Sequence, residues 1–180
     1  MARSPEPEAI DPVVSTADLA LAPALAELHL RAALAGYGHI FPAEALPPTI
    51  EELLAQWEHW LGPDRANGRR AFVAHAGAAL VGVVLAGPDP AEPELGHLAR
   101  LYVTPDLWGG GIGGHLYRAA MDHMRAAGFD AVTLWVLERN HRARAWYERH
   151  GWTPTGERRA PFPDVDRDLV ELRHVLALDG

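Results

Sequence analysis

The stretch Leu101-Tyr102-Val103-Thr104-Pro105-Asp106-Leu107-Trp108-Gly109-Gly110-Gly111-Ile112-Gly113-Gly114 carries the reading of this chain. Its opening alternates as a strand, and Pro105 closes that strand by biasing the residue before it toward extended backbone. Five of the six positions 109–114 are glycine. Over about residues 113–127 the spacing turns helical, with Leu116, Ala120, Met121 and Met124 on the buried side and Gly128 as the C-cap. Glycines between a strand and a helix leave backbone N–H groups bare and pointing at one place. The helix N-terminus adds partial positive charge there. Such a turn can cradle an anion, typically a pyrophosphate. Its plainer reading is a tightly packed turn.

Working outward, the chain punctuates clearly. Residues 1–12, with three prolines and several acids, read as a flexible leader, and 13–180 as one domain. Val13-Val14 suits a short strand. Residues 23–35 carry helical spacing, with Leu21, Leu25, Leu28 and Ala32 on one stripe. Thr49-Ile50-Glu51-Glu52 is a capping box that starts a second helix. Leu53, Leu54, Trp57, Trp60 and Leu61 point from it into a core, and Gly62-Pro63 ends it. Strands are expected over 70–76 and 79–86 with Gly77 at the turn, then a proline-rich loop over 87–93 and a strand over 98–103. Residues 131–137 give another strand and 140–150 a helix stopped by Gly151. Short strands close the chain near 152–158 and 169–176, separated by a loop. The expected order is β-α-α-β-β-β-α-β-α-β-β: an α/β chain with a mixed sheet and one β-α-β crossover over 98–137.

Composition narrows the function. The 180 residues contain no cysteine, which removes disulfides, thiolate nucleophiles and thiolate metal sites. All 16 basic residues are arginine, so lysine Schiff-base chemistry is absent too. A net charge of −8 argues against a nucleic-acid partner and is compatible with a cationic amine. No apolar run approaches the roughly 18 residues that span a bilayer, and no signal-peptide core follows the N-terminus. The expectation is a cytoplasmic protein with no membrane partner. The ten histidines offer no close ligand pair (His141 and His150, or His115 and His123, stand far apart in sequence), so no metal is expected.

Gly109-x-Gly111-x-x-Gly114 formally matches the dinucleotide fingerprint G-x-G-x-x-G. In that fold, however, the strand runs almost directly into the first glycine, whereas Pro105-Asp106-Leu107-Trp108 intervenes here. The acid expected about 20 residues on for the ribose is approximated only by Glu138, which falls late. A dinucleotide-binding oxidoreductase stays as a runner-up.

A second constellation lies downstream. Leu134-Trp135-Val136-Leu137-Glu138-Arg139-Asn140 leads to Ala145-Trp146-Tyr147-Glu148-Arg149-His150-Gly151-Trp152. Asn140 and Tyr147 are about two helical turns apart and share one helix face. Taken singly, Asn140 is a good N-cap and Tyr147 a possible core aromatic. Taken together with the glycine turn, they resemble the GNAT N-acetyltransferases. The turn resembles that family's motif A, written Arg/Gln-x-x-Gly-x-Gly/Ala, with Gly111 and Gly113 as the two glycines and Trp108 departing from the Arg/Gln. The second constellation resembles motif B. The resemblance runs over about 13–176 and is strongest over 98–152.

The resemblance implies the GNAT acyl-CoA N-acyltransferase fold and acetyl-CoA as donor. It implies that Leu101, Tyr102 and Val103 meet the pantetheine arm, and that the amides of Gly109, Gly110, Gly111, Ile112, Gly113 and Gly114 meet the pyrophosphate. Asn140 and Tyr147 face the same cofactor. Transfer is then direct, in a ternary complex, to a primary amine of a small molecule or peptide. Tyr147 protonates the departing sulfur, and a base frees the amine. His97 stands where some relatives carry a glutamate, four residues before the first pantetheine-binding position. Its ordinary pKa suits a base at neutral pH, with Glu94 in reserve; Trp135 holds another family base position and cannot serve. Alternation places His97, Ala99, Leu101 and Val103 on one strand face. Arg139, Arg142 and Arg144 either meet the 3′-phosphate of CoA or are solvated. Trp57, Trp60, Tyr37 and Phe41 either line an acceptor pocket or, for the tryptophans, fill the core. A homodimer follows family habit. The alternative within the fold is a non-catalytic acyl-CoA-binding domain.

Overall fold

The structure is a computed structural model that describes residues 11–62, 68–161, 166 and 168–178. Most of the expected leader, Pro63 beyond α2 and part of the loop before the last strand lie outside the described residues. Seven strands, β1 (Val13–Thr16), β2 (Arg70–Ala76), β3 (Ala79–Pro88), β4 (Gly96–Val103), β5 (Ala131–Leu137), β6 (Thr153–Arg159) and β7 (Glu171–Ala177), form one sheet in the order β1-β2-β3-β4-β5-β7-β6. Among the described residues there are four α-helices: α1 (Ala22–Tyr37), α2 (Ile50–Leu61), α3 (Ile112–Ala126) and α4 (His141–Arg149). Short 3-10 turns aside, this is the order expected from the sequence.

Helices cover both faces of the sheet. On one side α1 and α2 bury Leu25, Leu53 and Trp57 against Val73, Val83 and Leu85. On the other, α3 buries Leu116 and Met124 against Val84, Leu98 and Leu134, joined by Trp152. Val83 and Val84 fall into different cores because successive strand side chains point to opposite faces. α2 starts on the capping box read from the sequence. The Glu52 N–H donates to Thr49 Oγ1 at 3.2 Å, and the Thr49 N–H donates to Glu52 Oε2 at 2.8 Å. Of its two tryptophans, Trp57 is fully buried, while Trp60 packs at the margin of the same core.

One expectation about apolar runs needs correction. Leu19–Ile40, which comprises α1 and its flanking 3-10 turns, is long and apolar enough to cross a bilayer by length and composition. Part of it serves the core: Leu25 and Ala26 are fully buried against the sheet and α2, while Leu19 and Leu34 are exposed.

All neighbouring strands pair antiparallel except β4 and β5, which are parallel. Among the described residues there is therefore no doubly wound sheet of the kind a dinucleotide fold needs. The parallel ladder is also very short, registering only Gly96 with Val132 and His97 with Thr133. Gly96 permits that approach, since a Cβ there would sit 3.0 Å from both Met124 Sδ and Val132 Cγ2. Beyond His97 the two strands diverge, leaving a gap between 98–103 and 134–137.

β4 carries a bulge as well. Leu85 pairs with Arg100 and Ala86 with Leu98, so Ala99 is the extra residue. The bulge resets the alternation. Leu98, Leu101 and Val103 pack toward α3, while Ala99 and Tyr102 pack toward α1 and α2. The pleat puts His97 with the latter group. The expectation that His97, Ala99, Leu101 and Val103 share one face is thus corrected: a bulge depends on cross-strand pairing that no local pattern displays.

Candidate functional site

Beside the end of β4 that has parted from β5 lies a cleft of about 500 Å³. Its walls are Leu101, Tyr102 and Val103 of β4, the turn through Trp108, Gly109 and Gly111, and Ile112, Gly113 and Gly114 at the start of α3. The far wall is Asn140 with Arg142, Ala143, Trp146, Tyr147 and Arg149 of α4, and Gly36 and Tyr37 at the end of α1 close one side. The two constellations read from the sequence therefore meet across one cavity. Gly110 is outside it, and its N–H donates to the Leu107 carbonyl at 3.2 Å.

The turn has the geometry of an anion cradle. Gly109 and Gly111 hold φ of 87° and 85°, left-handed values that glycine adopts without steric cost. Gly111 is the N-cap of α3. The Gly114 N–H returns to the Gly111 carbonyl at 2.9 Å. Among the described residues the N–H groups of Gly109, Gly111, Ile112 and Gly113 have no backbone partner. Those of Gly111, Ile112 and Gly113 stand at the N-terminus of α3, beside the cleft.

Strand polarity prepares the other wall. The Thr104 N–H is spent on the Val81 carbonyl of β3, so alternation turns the backbone groups of Leu101 and Val103 toward the gap. One of these is taken: Trp108 Nε1 donates to the Val103 carbonyl at 2.8 Å. The same indole carries the Arg142 guanidinium 3.8 Å above its ring, a cation–π contact. The tryptophan at the motif's Arg/Gln position thus brings an arginine from α4 to the cleft mouth. Of the neighbouring arginines, Arg144 turns to the Glu138 carbonyl at 3.0 Å and Arg139 is exposed.

Asn140 does both things its sequence context allows. Its side chain caps α4, accepting from the Ala143 N–H at 3.2 Å, and it lines the cleft. Tyr147, two turns on, is half-buried against Trp146 and Trp152. Its hydroxyl has no hydrogen-bond partner among the described residues. Burial, then the neighbouring Tyr102 and Tyr117, push its pKa above the ordinary phenol value, so the proton stays on near neutral pH. Tyr37 and Tyr102 meet hydroxyl to hydroxyl at 3.0 Å. Burial and that partner raise the Tyr37 pKa too.

His97 is not brought into this lining. It sits at the closed end of the gap, on the α1/α2 face, with Nδ1 2.9 Å from Thr133 Oγ1 and 3.6 Å from Asp89 Oδ2. Burial lowers its pKa to about 4; Asp89 opposes that shift, and Arg159, Arg100 and Arg69 reinforce it. The imidazole is therefore neutral at pH 7. Glu94 lies exposed on the preceding loop. The sequence reading missed the Tyr37–Tyr102 pair, the Trp108–Arg142 stack and the Asp89–Thr133 contacts of His97. Each joins residues far apart in the chain, and only Trp108, by breaking the motif, carried a local signal.

Residues 30–152 match the model of the acetyltransferase (GNAT) family, and the chain belongs to that family. Over 110 residues it is 37% identical to the mycothiol acetyltransferase of Beutenbergia cavernae, covering 59% of this chain and 34% of that protein. It is 32% identical over 109 residues to a Mycobacterium tuberculosis protein named "Probable N-acetyltransferase Rv2775", covering 58% and 61% of the two chains. The chain thus spans about a third of the length of the first relative and about three fifths of the second. In fold it is similar to the PaiA N-acetyltransferase of Thermoplasma acidophilum solved in complex with coenzyme A. That match has a TM-score of 0.73 and 17% identity over 93% of this chain and 99% of that one.

Proposed function

We propose that this protein is an acetyl-CoA-dependent N-acetyltransferase that acts on a primary amine of a small molecule or peptide. The observation that carries the reading is the cleft itself, where the edge of β4, the free amides of the glycine turn and the Tyr147 side chain share one cavity. The residues suit coenzyme A in chemistry. The N–H groups of Gly109, Gly111, Ile112 and Gly113 would hold the pyrophosphate, and Arg142 would add charge beside it. Backbone groups of Leu101 and Val103, with Asn140 opposite, would hold the amide-bearing arm. The bound donor supplies an activated acetyl thioester.

The chain's own groups then move protons. A neutral amine attacks the thioester carbonyl; the new bond is carbon–nitrogen and the bond lost is carbon–sulfur. The departing sulfur takes the phenolic proton of Tyr147. The proton shed by the amine passes to Nε2 of His97, directly or through water. Tyr147 is suited to its part because its hydroxyl is uncommitted and its pKa is raised. His97 is neutral at pH 7 and so free to accept a proton, but burial makes it a weaker base than the ordinary imidazole expected from the sequence.

Thiol release from acetyl-CoA, followed across a panel of primary amines with mass detection of the acetylated product, tests the proposal. Amine-dependent thiol release supports it. Tight CoA binding without turnover of any amine points to the non-catalytic acyl-CoA-binding alternative.

A further inference from the structure

At the closed end of the β4–β5 gap, His97 is held by two buried polar residues that no step of the proposed transfer uses directly. Asp89, in the loop after β3, is 4% exposed, and Thr133 of β5 is 1% exposed. Thr133 Oγ1 lies 2.5 Å from Asp89 Oδ2, 3.2 Å from the Gly96 carbonyl and 2.9 Å from His97 Nδ1. Asp89 is further held by the Ala91 and Glu92 N–H groups, at 2.8 and 3.3 Å, and by Arg173 Nη2 at 3.3 Å.

The directions of these bonds follow from counting hydrogens. A threonine hydroxyl has one hydrogen to give. Its neighbours Asp89 and the Gly96 carbonyl only accept, because Asp89 is a carboxylate: burial works against its charge, but the Thr133 and Ala91 donors outweigh burial and hold its pKa below the ordinary range. Whichever acceptor takes the threonine hydrogen, His97 Nδ1 must donate to Thr133 Oγ1. The proton of the neutral ring therefore sits on Nδ1, and Nε2 carries a lone pair. Among the described residues Nε2 has no hydrogen-bond partner.

We propose that Asp89 and Thr133 are positioning residues that lock His97 in the Nδ1–H tautomer and so leave the Nε2 lone pair as the proton acceptor. The inference rests on the reading of His97 as the base. Two features support the placement. His97 and Thr133 form the last registered pair before β4 and β5 part, so the locked ring stands where the gap begins. The charged groups around it come from several elements: Asp89 from the loop after β3, Arg100 from β4, Arg69 from before β2 and Arg159 from β6. Arg173 of β7 reaches the ring only through Asp89. Burial, first of all, keeps the imidazole neutral against the pull of Asp89, with the three guanidiniums adding to it, and the Thr133 link keeps it in one tautomer.

The test uses the whole chain with ¹⁵N-labelled histidine. Nitrogen shifts of His97, assigned by loss of the signal in His97→Gln, report which ring nitrogen carries the proton. The proposal expects Nδ1–H in the wild type and in Thr133→Ser, and a mixture of tautomers in Thr133→Val. Asp89→Asn is diagnostic in a different way. Its amide can donate to Thr133 and free the threonine hydrogen to go to either the Gly96 carbonyl or Nδ1, so a mixture of tautomers is expected. In rate, Thr133→Val should lower kcat roughly 10- to 100-fold and shift the acid limb of the kcat–pH profile, with CoA affinity unchanged and Thr133→Ser restoring both. Nε2–H in the wild type overturns the proposal, as does a Thr133→Val protein with wild-type tautomer and pH profile. If Asp89→Asn fails to fold, the Thr133 pair decides alone. A His97→Gln variant with wild-type rates would instead remove the base assignment while leaving the tautomer result standing.

Discussion

Gly111 is the residue on which the proposed phosphate cradle turns, and Gly111→Ala is the perturbation that separates cradle from plain turn. At φ of 85° an alanine is strained, although its Cβ would meet nothing within 4 Å. The strain alone is about 1–2 kcal/mol for a left-handed non-glycine residue. For a domain of this size that lowers Tm by roughly 2–8 °C. Relief of the strain rotates the peptide joining Gly111 to Ile112 and takes the Ile112 N–H off the shared focus. A hydrogen bond to a charged group contributes about 1.5–3 kcal/mol, so affinity for CoA should fall by roughly 10- to 150-fold. The control is Gly113→Ala, two residues on. Gly113 is inside the first turn of α3 at negative φ, and its Cβ would make an ordinary 3.9 Å contact with Val103. Calorimetric titration with CoA and thermal unfolding of both variants give the answer. If Gly111→Ala retains wild-type Tm and CoA affinity, or if Gly113→Ala loses as much, the cradle geometry is wrong.

Three further outcomes follow from the same structure. Tyr147→Phe should lower kcat by about 10²- to 10⁴-fold while CoA affinity changes little, because only the uncommitted hydroxyl is lost; steady-state kinetics beside calorimetry separates the two, and an unchanged kcat removes Tyr147 as the acid. Arg142→Ala should weaken CoA binding and flatten its salt dependence, since it removes a charge held over Trp108; equal salt slopes in variant and wild type would place that arginine outside the phosphate field. Folding stability should fall as pH drops from about 6.5 toward 4. His29 and His97 both have folded-state pKa values lowered to about 4, mainly by burial, so the unfolded chain binds protons that the folded chain refuses. Their contribution, present in full above pH 6.5, is at most roughly 3 kcal/mol each. Urea unfolding at pH 7, 5.5 and 4 measures it, and a flat stability profile across that window would contradict the burial of both rings.

Much of the fold was legible because the chain punctuates itself. The Thr49 capping box starts α2, β5 spans residues 131–137 as expected, and Gly128 follows α3 at a φ of 83°. The strand ends beside the 87–95 loop were not. β3 runs on through Gly87 and Pro88 because these pair with His97 and Gly96, and β4 begins two residues earlier than its apolar pattern for the same reason. Pairing across a loop leaves no periodicity in the sequence. The candidate site divides in the same way. Its glycine turn, Asn140 and Tyr147 were visible as local spacing. The bulge at Ala99, the Tyr37–Tyr102 pair and the Asp89–Thr133–His97 cluster exist only through contacts between distant segments. Trp108 lay between the two cases: it broke the expected pattern in the sequence, and the reason appeared only when Arg142 was found stacked on it.

The measurement that bears most directly on the central claim is thermal unfolding with acetyl-CoA, CoA and NADH added side by side. Ligand at 100 times its dissociation constant adds about 2.7 kcal/mol, which for this chain is roughly 5–10 °C. The account predicts such a shift with acetyl-CoA and with CoA, and none with NADH. Stabilisation by NADH with no response to either coenzyme A species would contradict it.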